Sequence, residues 1–274
     1  MKLDCAGKIV DLSTPQVMGI LNVTPDSFSD GGRHMAVEAA VDRAREMVEE
    51  GAAIIDVGGE STRPGAENVP VDEELRRILP VVEALAAELS VPVSIDTSKA
   101  EVMRQAVAVG AGMINDVAAL RGEGALEAAA GLGVPVCIMH MQGEPRTMQA
   151  APRYSDVVAD VTAFLRERMD ACRAAGIPDA NIVVDPGFGF GKRLEHNIAI
   201  LKHLEQIASL GAPVLVGMSR KSMIGQLTGR GVNGRLHGGL AAAVISVLKG
   251  ALVVRTHDVA PTIDAMKVAS VVLD

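Results

Sequence analysis

The stretch AVEAAVDRAREMVEEGAAIIDV, residues 36–57, contains the structural unit that decides the fold. From Val37 to Val48, apolar side chains recur at intervals of three and four residues, which predicts a helix with one buried face. Gly51 follows at the position where a left-handed C-terminal cap is expected. The continuous apolar run that begins at Ala53 then predicts a strand covered on both faces, as the strands of parallel sheets are. The stretch therefore predicts a helix followed by a buried parallel strand.

The same alternation of helical patterns and apolar runs continues along the whole chain. Eight apolar runs begin at Val17, Ala53, Val91, Gly112, Val134, Asn181, Pro213 and Ala251. Eight strand and helix units predict a closed (β/α)8 barrel of the TIM type, for which a length of about 250 residues is typical. An open, doubly wound α/β sheet is the structural alternative. Such sheets usually carry a glycine-rich phosphate turn after the first strand, and residues 21–32 contain none.

Three local features complete the predicted fold. Pro80 lies inside the helical pattern from Leu75 to Leu89, so it predicts a kink or a restart of that helix. A longer helix is expected to end near Gly176. The prefix MKLDCAGKIVDLS predicts an N-terminal β-hairpin that closes the bottom of the barrel. We therefore expect a single domain over residues 1–274.

The composition restricts the classes of protein to which the chain can belong. Its 274 residues are 49% hydrophobic and 22% charged, which is the balance of a soluble globular protein. The net charge of −8 argues against a nucleic-acid surface, because phosphate backbones select basic faces. The longest apolar region, from Leu240, is interrupted well short of a membrane span, and the start lacks the pattern of a secretion signal. We expect a cytoplasmic protein whose scattered Cys5, Cys137 and Cys172 are free, buried thiols.

Polar side chains follow the apolar runs at the predicted strand ends. They are Asn22, Asp56, Asp96, Asn115, Asp185, Ser219, Arg220, Lys221, Arg255 and His257. In a (β/α)8 barrel these ends converge on one mouth, where active sites are built. A single strand-end Asp or Asn commonly does no more than cap the next helix, so the hypothesis of a site depends on the whole set.

The set is sorted by charge along the chain. Acids and amides lie on the earlier strands and suit a neutral ligand rich in N–H donors, such as an aminopyrimidine edge. Asp185, in VVDPGFGFGK, has the best setting for a two-point contact, although it could instead begin a turn. Cations lie on the last two strands, where barrels often bind phosphate. For Arg255 the alternative is an ion pair with a neighbouring acid, and for His257 a surface turn.

Two long loops at the predicted mouth are candidates for lids or substrate clamps. One is the segment 23–33, and the other follows the second strand. Thr62 and Arg63 would project into the site from the second loop. Pro64 and Phe190 offer apolar surface for a small ring, although a rigid turn and simple packing are the alternatives.

The histidines and Ser219 do not predict a different kind of site. His140 is expected to be a strand-end histidine bonded to the backbone. His34, His196 and His203 lack a carboxylate or cysteine at metal-binding spacing, so a zinc site is not expected. Ser219 has no nucleophile-elbow pattern, which argues against a serine hydrolase.

Eight motifs run in order from Val17 to Val259: VMGILNVTPDSFSDGG, GAAIIDVGGESTRPGA, VSIDTSK, INDV, HMQGEPRTMQ, DPGFGFGK, GMSRKSMIG and RTHDV. Together they closely resemble the motifs of the dihydropteroate synthases of folate biosynthesis. The first two are highly specific, whereas INDV alone would mean little. The fold of that family is a (β/α)8 barrel, in agreement with the periodicity of the sequence.

The resemblance implies a reaction and a set of site residues. Members of the family join 4-aminobenzoate to 6-hydroxymethyl-7,8-dihydropterin diphosphate, releasing pyrophosphate and giving 7,8-dihydropteroate. The residues implied around the pterin are Asp96, Asn115, Asp185 and Lys221. Those implied near the diphosphate are Thr62, Arg255 and His257, and Thr256 of the same RTHDV motif is counted as substrate-binding. Those implied around the 4-aminobenzoate are Phe28, Arg63, Pro64, Phe190 and Ser219.

The implied chemistry breaks the bond between the pterin methylene and the diphosphate oxygen, and the arylamine then attacks the methylene. Such a dissociative path depends on electrostatics and orientation more than on a general base. Asp96 and Asp30 are therefore the residues expected to stabilise cationic character, and Lys221 is expected to orient the pterin. Asn22 is the implied ligand of Mg²⁺, and a homodimer is expected by family resemblance.

The sequence departs from the family pattern at one position, and three other functions are not excluded by it. LHGGLAAA has Gly239 where relatives often carry serine, on a helix expected to lie away from the site. A pterin-dependent methyltransferase would not need the aminobenzoate pocket and the diphosphate clamp. A non-catalytic pterin-binding paralogue would not need the full set of strand-end residues. A sugar-phosphate aldolase with Lys221 as a Schiff base is the most distant alternative.

Overall fold

The computed structural model describes residues 1–23, 32–61, 69–144 and 147–273. A two-stranded antiparallel hairpin comes first, with β1 at Lys2–Cys5 and β2 at Lys8–Asp11. The strands that follow are β3 Gln16–Asn22, β4 Ile54–Gly58, β5 Val93–Asp96, β6 Met113–Asp116, β7 Val136–Met139, β8 Ile182–Asp185, β9 Val214–Val216 and β10 Ala251–Thr256. These eight strands are parallel and pair in sequence order, and β10 closes the barrel by pairing with both β9 and β3. The predicted (β/α)8 barrel with an N-terminal hairpin is confirmed.

Helices connect the strands on the outside of the barrel. They are α1 Gly32–Glu49, α2 Val71–Glu88, α3 Ala100–Ala108, α4 Ala125–Leu132, α5 Val157–Ala174, α6 Leu194–Lys202, α7 Leu204–Ala208, α8 Ser222–Thr228, α9 Leu236–Leu248 and α10 Val259–Leu273. Gly51 and Gly176 follow α1 and α5 with φ of +108° and +94°, which confirms the predicted helix ends. Among the described residues, no helix is both long and apolar enough to cross a membrane.

The helix α2 continues through Pro80, so of the two predicted outcomes the restart is wrong and the kink stays a prediction. Pro80 cannot donate a hydrogen bond to the carbonyl of Arg76, but both residues lie on the solvent side of the helix, where water can take the place of that donor. The opposite face is held against the barrel by Ile78, Val82 and Leu85, none of which is exposed. Burial of this face outweighs the local cost of the proline.

Alternate residues of each strand contribute to two different cores. One core lies between the strands and the helices and includes Val17, Ile55 and Val184. The other lies inside the barrel at its lower end, where strand residues pack against the hairpin. Its buried members are Leu3, Cys5, Val10, Leu12, Met18, Ile54, Met113, Cys137, Val183, Leu215 and Val253. The hairpin closes the bottom of the barrel, as predicted, and the carboxyl ends of the strands form the opposite mouth.

Candidate functional site

An arginine with two buried carboxylates forms the centre of the mouth. Arg255, near the end of β10, donates from Nε to Asp56 Oδ2 at 2.6 Å and from Nη2 to Asp96 Oδ2 at 2.8 Å. Asn115 at the end of β6 donates from its amide to the same Asp56 oxygen at 3.1 Å. Asp56 is fully buried and Arg255 is 21% exposed, so the pair lies at the floor of the mouth with the guanidinium reaching toward solvent. The carboxylates raise the pKa of Arg255, and its charge is permanent.

The pKa of the Asp96 carboxyl is set by neighbours that act on it in opposite directions. Burial raises the pKa of its carboxyl to about 7, Arg255 pulls that pKa down, and the carboxylate of Asp56 raises it again. A carboxylate held in this way gains stabilisation when a positive charge appears beside it. A perturbed acid in a concave, partly apolar mouth is typical of a catalytic site.

Lys221 lies on the other side of the mouth, at the turn after β9. Its Nζ donates a short hydrogen bond to the carbonyl oxygen of Phe188 and lies 4.5 Å from the centre of the Phe190 ring. Burial lowers the pKa of the Lys221 ammonium to about 8, although the nearby carboxylate of Asp185 opposes this shift. The Phe188 carbonyl and the face of the Phe190 ring therefore hold the Lys221 ammonium in place. The ammonium has three N–H donors, so it can also donate to a ligand.

Asp185 ends β8 and is 6% exposed. Its Oδ1 accepts a hydrogen bond from the backbone N–H of Gly187 at 2.7 Å, so the residue does begin a turn. Burial raises the pKa of this carboxyl, and Lys221 and the Gly187 N–H act in the opposite direction. Because a carboxylate has about four lone-pair sites and the turn uses one of them, Asp185 can also accept N–H donors of a ligand. The two sequence interpretations of Asp185 are compatible.

Ser219 and His257 meet where β9 and β10 end. Ser219 Oγ lies 3.0 Å from His257 Nδ1 and also accepts the backbone N–H of His257 at 3.2 Å. Arg220, in contrast, points to the outside and forms an exposed ion pair with Asp258 at 2.6 Å. The cations of the last two strands are thus divided, with Arg255 and Lys221 in the mouth and Arg220 at its rim.

Asn22 ends β3 at the rim, and its side chain is exposed. Asn22 of β3 pairs with Gly58 of β4, and Gly58 in turn pairs with Asp96 of β5. The amide of Asn22 therefore lies on the side of the mouth that contains Asp96. An amide oxygen is a ligand type that Mg²⁺ accepts, and Mg²⁺ usually keeps several waters and takes further oxygens from a phosphate substrate. Among the described residues, no three His, Cys, Asp or Glu side chains form a metal cage. The residue types at the rim therefore fit a magnesium ion held by one protein oxygen.

The remaining predicted site residues are those of the two loops and Thr256. Phe28, Asp30, Thr62, Arg63 and Pro64 lie outside the described residues, so their predicted roles stay predictions. Thr256 is 4% exposed, and its hydroxyl accepts the N–H of Asp258 at 3.1 Å, so this side chain supports the start of α10, and its substrate-binding role stays a prediction.

Gly239 is closer to the site than predicted. It lines a small cavity together with Ser219, Arg220 and Arg255, because α9 packs beside the ends of β9 and β10. The expectation that its helix lies away from the site residues is therefore wrong. No heavy atom lies within 4 Å of the position that a side-chain carbon on Gly239 would occupy.

Sequence reasoning missed one buried and one half-buried lysine. Lys192 Nζ lies 2.8 Å from His140 Nδ1, so the imidazole of His140 contacts this lysine in addition to a backbone group. Lys99 forms ion pairs with Glu60 and with the fully buried Glu74. A lysine that directly follows a glycine-rich strand end, as in GFGK, was the available signal for the first of them.

Comparisons with known proteins agree with this geometry. The family described as "Pterin binding enzyme" matches residues 18–257. The dihydropteroate synthase of Escherichia coli strain K12 is 55% identical over 273 residues, which cover 100% of this chain and 97% of the relative. A solved structure of the Xanthomonas albilineans dihydropteroate synthase with 4-aminobenzoic acid is 56% identical and superposes with a TM-score of 0.93, covering 99% of this chain and 98% of that one. Another structure from that organism, in complex with 7,8-dihydropteroate, is 52% identical with a TM-score of 0.90, covering 100% of this chain and 99% of the other.

Proposed function

The chain belongs to the dihydropteroate synthase family of pterin-binding enzymes, and we propose on this premise that it catalyses the family reaction. The enzyme is a transferase that joins 6-hydroxymethyl-7,8-dihydropterin diphosphate to 4-aminobenzoate, giving 7,8-dihydropteroate and pyrophosphate. The observation that carries the proposal is the convergence of Asp96, Asn115, Asp185, Lys221 and Arg255 on one mouth. The bound molecules named for the Xanthomonas albilineans structures are the expected acceptor and product.

The pterin binds between the carboxylates and Lys221. Its aminopyrimidine edge presents N–H donors, which the carboxylate of Asp185 and the amide oxygen of Asn115 accept. Lys221 donates to the acceptor atoms of the same ring system, and the Phe190 ring borders the position of the 4-aminobenzoate. Buried acceptors of this kind select a ligand that supplies the matching donors, because an unmatched buried polar group is costly.

The reaction breaks the bond between the methylene carbon and the diphosphate oxygen, and the electron pair leaves with pyrophosphate. The amine nitrogen of 4-aminobenzoate then forms the new C–N bond and loses a proton. As positive charge grows on the pterin methylene, the Asp96 carboxylate stabilises it, since this group gains most when a cation approaches. The chain supplies orientation and charge, and no covalent intermediate with the protein is needed.

Arg255 connects the two halves of the site. Two of its five N–H bonds are directed to Asp56 and Asp96, and the remaining three are available for the oxygens of the leaving group. His257 lies at the same rim, with its ring oriented by the Ser219 hydroxyl. Asp30, Thr62 and Arg63 are proposed to complete the site from the two loops, as the sequence predicts.

Asn22 is proposed to hold Mg²⁺ through its side-chain oxygen. When bound, the ion supplies a Lewis acid that spreads the charge of the departing pyrophosphate. We expect Asn22→Ala to raise the magnesium concentration needed for half-maximal activity while leaving the affinity for the dihydropterin without diphosphate unchanged. A magnesium titration of the activity, with calorimetry of the dihydropterin as control, separates the two effects. An unchanged magnesium requirement would remove Asn22 from the site.

The activity is tested by pyrophosphate release from the purified chain mixed with the pterin diphosphate, Mg²⁺ and 4-aminobenzoate. Release that depends on 4-aminobenzoate, with formation of dihydropteroate, is the expected result. Tight pterin binding without release would instead indicate a non-catalytic pterin-binding protein.

Asp185→Ala should weaken pterin binding by about 100-fold, since truncation leaves ligand donors without a buried acceptor.

We also propose that the enzyme is a homodimer and works in the cytoplasm. Exposed apolar side chains are concentrated on α9 and α10, two helices that pack against each other, and a patch of this kind is typical of an interface. They are Ile245, Leu248, Val268, Val271 and Val272. Light scattering should give a dimer mass for the wild type and a monomer mass for Val271→Glu, with Ile9→Glu on the hairpin as control.

The three free, buried cysteines suit a reducing compartment, which cell fractionation can test.

A further inference from the structure

Lys192 is a buried lysine beneath the loop that follows β8. Only 3% of it is exposed, although lysine is almost never buried without partners. Its Nζ lies 2.9 Å from the carbonyl oxygen of Gly187, 3.1 Å from that of Phe190 and 3.3 Å from that of His140. The fourth neighbour is the Nδ1 atom of His140, at 2.8 Å. Four acceptor atoms from two neighbouring strand ends thus meet at one nitrogen.

The partners favour the charged form of this lysine. Carbonyl oxygens only accept hydrogen bonds, and an ammonium supplies three donors, whereas a neutral amine supplies two. Burial lowers the pKa of His140 to about 3, so its ring is neutral, and in the tautomer protonated at Nε2 its Nδ1 accepts the remaining ammonium proton. Burial also lowers the pKa of Lys192, and the carboxylate of Asp185 opposes that shift. Burial, with a further contribution from the Lys221 ammonium, keeps the pKa of Lys192 well below its usual value, so these neighbours offset only part of the desolvation of the ammonium.

The loop held by Lys192 is the one that shapes the pterin pocket. Its Gly187 N–H binds Asp185, its Phe188 carbonyl accepts from Lys221, and its Phe190 ring lies beneath the Lys221 ammonium. Gly187 adopts a φ of +67°, and a side-chain carbon there would collide with the carbonyl oxygen of His140. A loop of such glycines has little stiffness of its own, so an external cross-link must set its shape.

We propose that Lys192 is a positioning residue for the pterin site: its buried ammonium cross-links Gly187, Phe190 and His140, and thereby sets the geometry of Asp185 and Lys221. Lys192 does not touch the substrate and acts through these two residues. The proposal rests on the pterin-binding function proposed above and extends it to a residue beneath the site.

The ammonium also contributes charge to the site. The titratable and charged groups that face Asp185 are Lys221, Lys192, Arg255 and the thiol of Cys137. Those that face Lys192 are His140, Asp185 and Lys221. Burial raises the pKa of Asp185 and the three cations lower it, so loss of the Lys192 charge raises it further. Pterin binding needs the ionised carboxylate, and it must then be lost at a higher pH as the solution is acidified.

The test compares Lys192→Met and Lys192→Gln with Lys202→Met, an exposed lysine in the last turn of α6. The probe is 6-hydroxymethyl-7,8-dihydropterin without the diphosphate, so that phosphate ionisation does not enter the pH profile. Calorimetry from pH 5 to 9 should show binding about tenfold weaker or worse in both Lys192 variants, as expected for a lost charged network. The acid midpoint of binding should rise by about half a unit or more. The KM for 4-aminobenzoate should change much less, and Lys202→Met should match the wild type.

A merely structural role for Lys192 would give a different result. Thermal unfolding would then occur at a lower temperature, while the folded variants would keep the wild-type affinity and acid midpoint, and that result would overturn the proposal. The wild-type protein separates this question from the proposed activity. If it binds the dihydropterin but releases no pyrophosphate from the full substrates, the enzymatic function fails and the role of Lys192 in pterin binding can still be judged.

His140→Gln decides the question if neither Lys192 variant folds. This change removes the imidazole acceptor but leaves the ammonium and its three carbonyl partners in place. Pterin binding should weaken a few-fold with the acid midpoint unchanged, because the charge stays near Asp185. Unaltered pterin affinity in folded His140→Gln would overturn the cross-link, and a shifted midpoint would overturn the electrostatic part.

Discussion

The two ends of the barrel interior are built from residues only two positions apart on the same strands. At the lower end β4 places Ile54 and at the mouth it places Asp56, and β8 likewise places Val183 below and Asp185 above. The lower layer packs against the apolar side of the hairpin, whereas the part of the upper layer that the structure describes is built around charged side chains, with Arg255 paired to Asp56 and Asp96. Inward-facing positions of the same strand therefore contribute to stability at the lower end and to ligand recognition at the mouth.

This contrast shows how a closed barrel tolerates a polar site. The lower layer gains free energy from apolar burial, at about 25 cal/mol per Å². The upper layer gains little from its ion pairs, because desolvation of buried charges offsets most of their attraction. Removal of one partner of an ion pair at the mouth should therefore cost stability as well as activity, whereas truncation at the lower end should cost stability alone, and four experiments can test this contrast.

The largest effect is expected at the mouth, for Arg255→Met. This change leaves the buried carboxylates of Asp56 and Asp96 without their cation, which should lower the free energy of unfolding by about 3–5 kcal/mol. Urea unfolding at pH 7 measures this effect. In an Asp56→Asn background the same change should cost much less, because one of the uncompensated charges is gone. Equal costs in the two backgrounds would show that the mouth is not held together by this network.

At the opposite end, Leu3→Ala should affect stability alone. Leu3 is fully buried in the hairpin, so truncation should lower the free energy of unfolding by about 2–5 kcal/mol. The matched control is Ile9→Ala on the same hairpin, where the side chain is 54% exposed and the cost should stay within about 0.5 kcal/mol. The folded Leu3→Ala protein should keep the wild-type kcat/KM. A loss of kcat/KM greater than a few-fold would mean that the two ends are coupled.

Only the mouth should respond to pH near neutrality. Activity needs the Asp96 carboxylate, whose pKa is about 7, and the Lys221 ammonium, whose pKa is about 8. The profile of kcat/KM for the pterin diphosphate should therefore be bell-shaped, falling about tenfold per unit below the first value and above the second. At the bottom, burial raises the pKa of Cys5 to about 12, so this layer carries no charge over the same range. A profile that stays flat from pH 6 to 9 would exclude both assigned groups.

The smallest effect is expected on the outer layer, for Gly239→Ser. Gly239 has an ordinary helical backbone and open space around it, so serine should stabilise α9 by about 0.5 kcal/mol through its better helix propensity. Gly131 in α4 has the same open surroundings and should respond alike in thermal unfolding. Loss of activity in Gly239→Ser alone would show that the cavity beside Arg255 takes part in the reaction.

The parts of the site that the sequence predicts are those tied to strand ends. A continuous apolar run marks a buried strand, and parallel strands in a barrel must end at one mouth, so Asp96, Asn115, Asp185 and Lys221 could be brought together from order alone. Strand order does not predict whether Arg255 binds a neighbouring acid or an anionic ligand, because both are chemically reasonable. The structure shows the ion pair, and the anion contact stays a prediction.

Other features depend on which way a side chain points or on packing far from the residue in sequence. Thr256 and Arg255 are adjacent, yet strand alternation sends one to α10 and the other to the mouth. Pro80 was expected to kink or restart a helix, and α2 continues through it because its opposite face is buried. Lys192 had no visible partner until the fold brought His140, 52 residues away, to its ammonium.

The sequence by itself therefore determined the barrel, the hairpin and the chemical character of the mouth, because hydrophobic periodicity and strand-end chemistry are local properties. The tertiary structure alone decided which charges pair, which helix adjoins the site and how the glycine-rich loop is held. Those outcomes depend on distances between residues that are remote along the chain, and on burial, which changes the free energy of each charge according to everything packed around it.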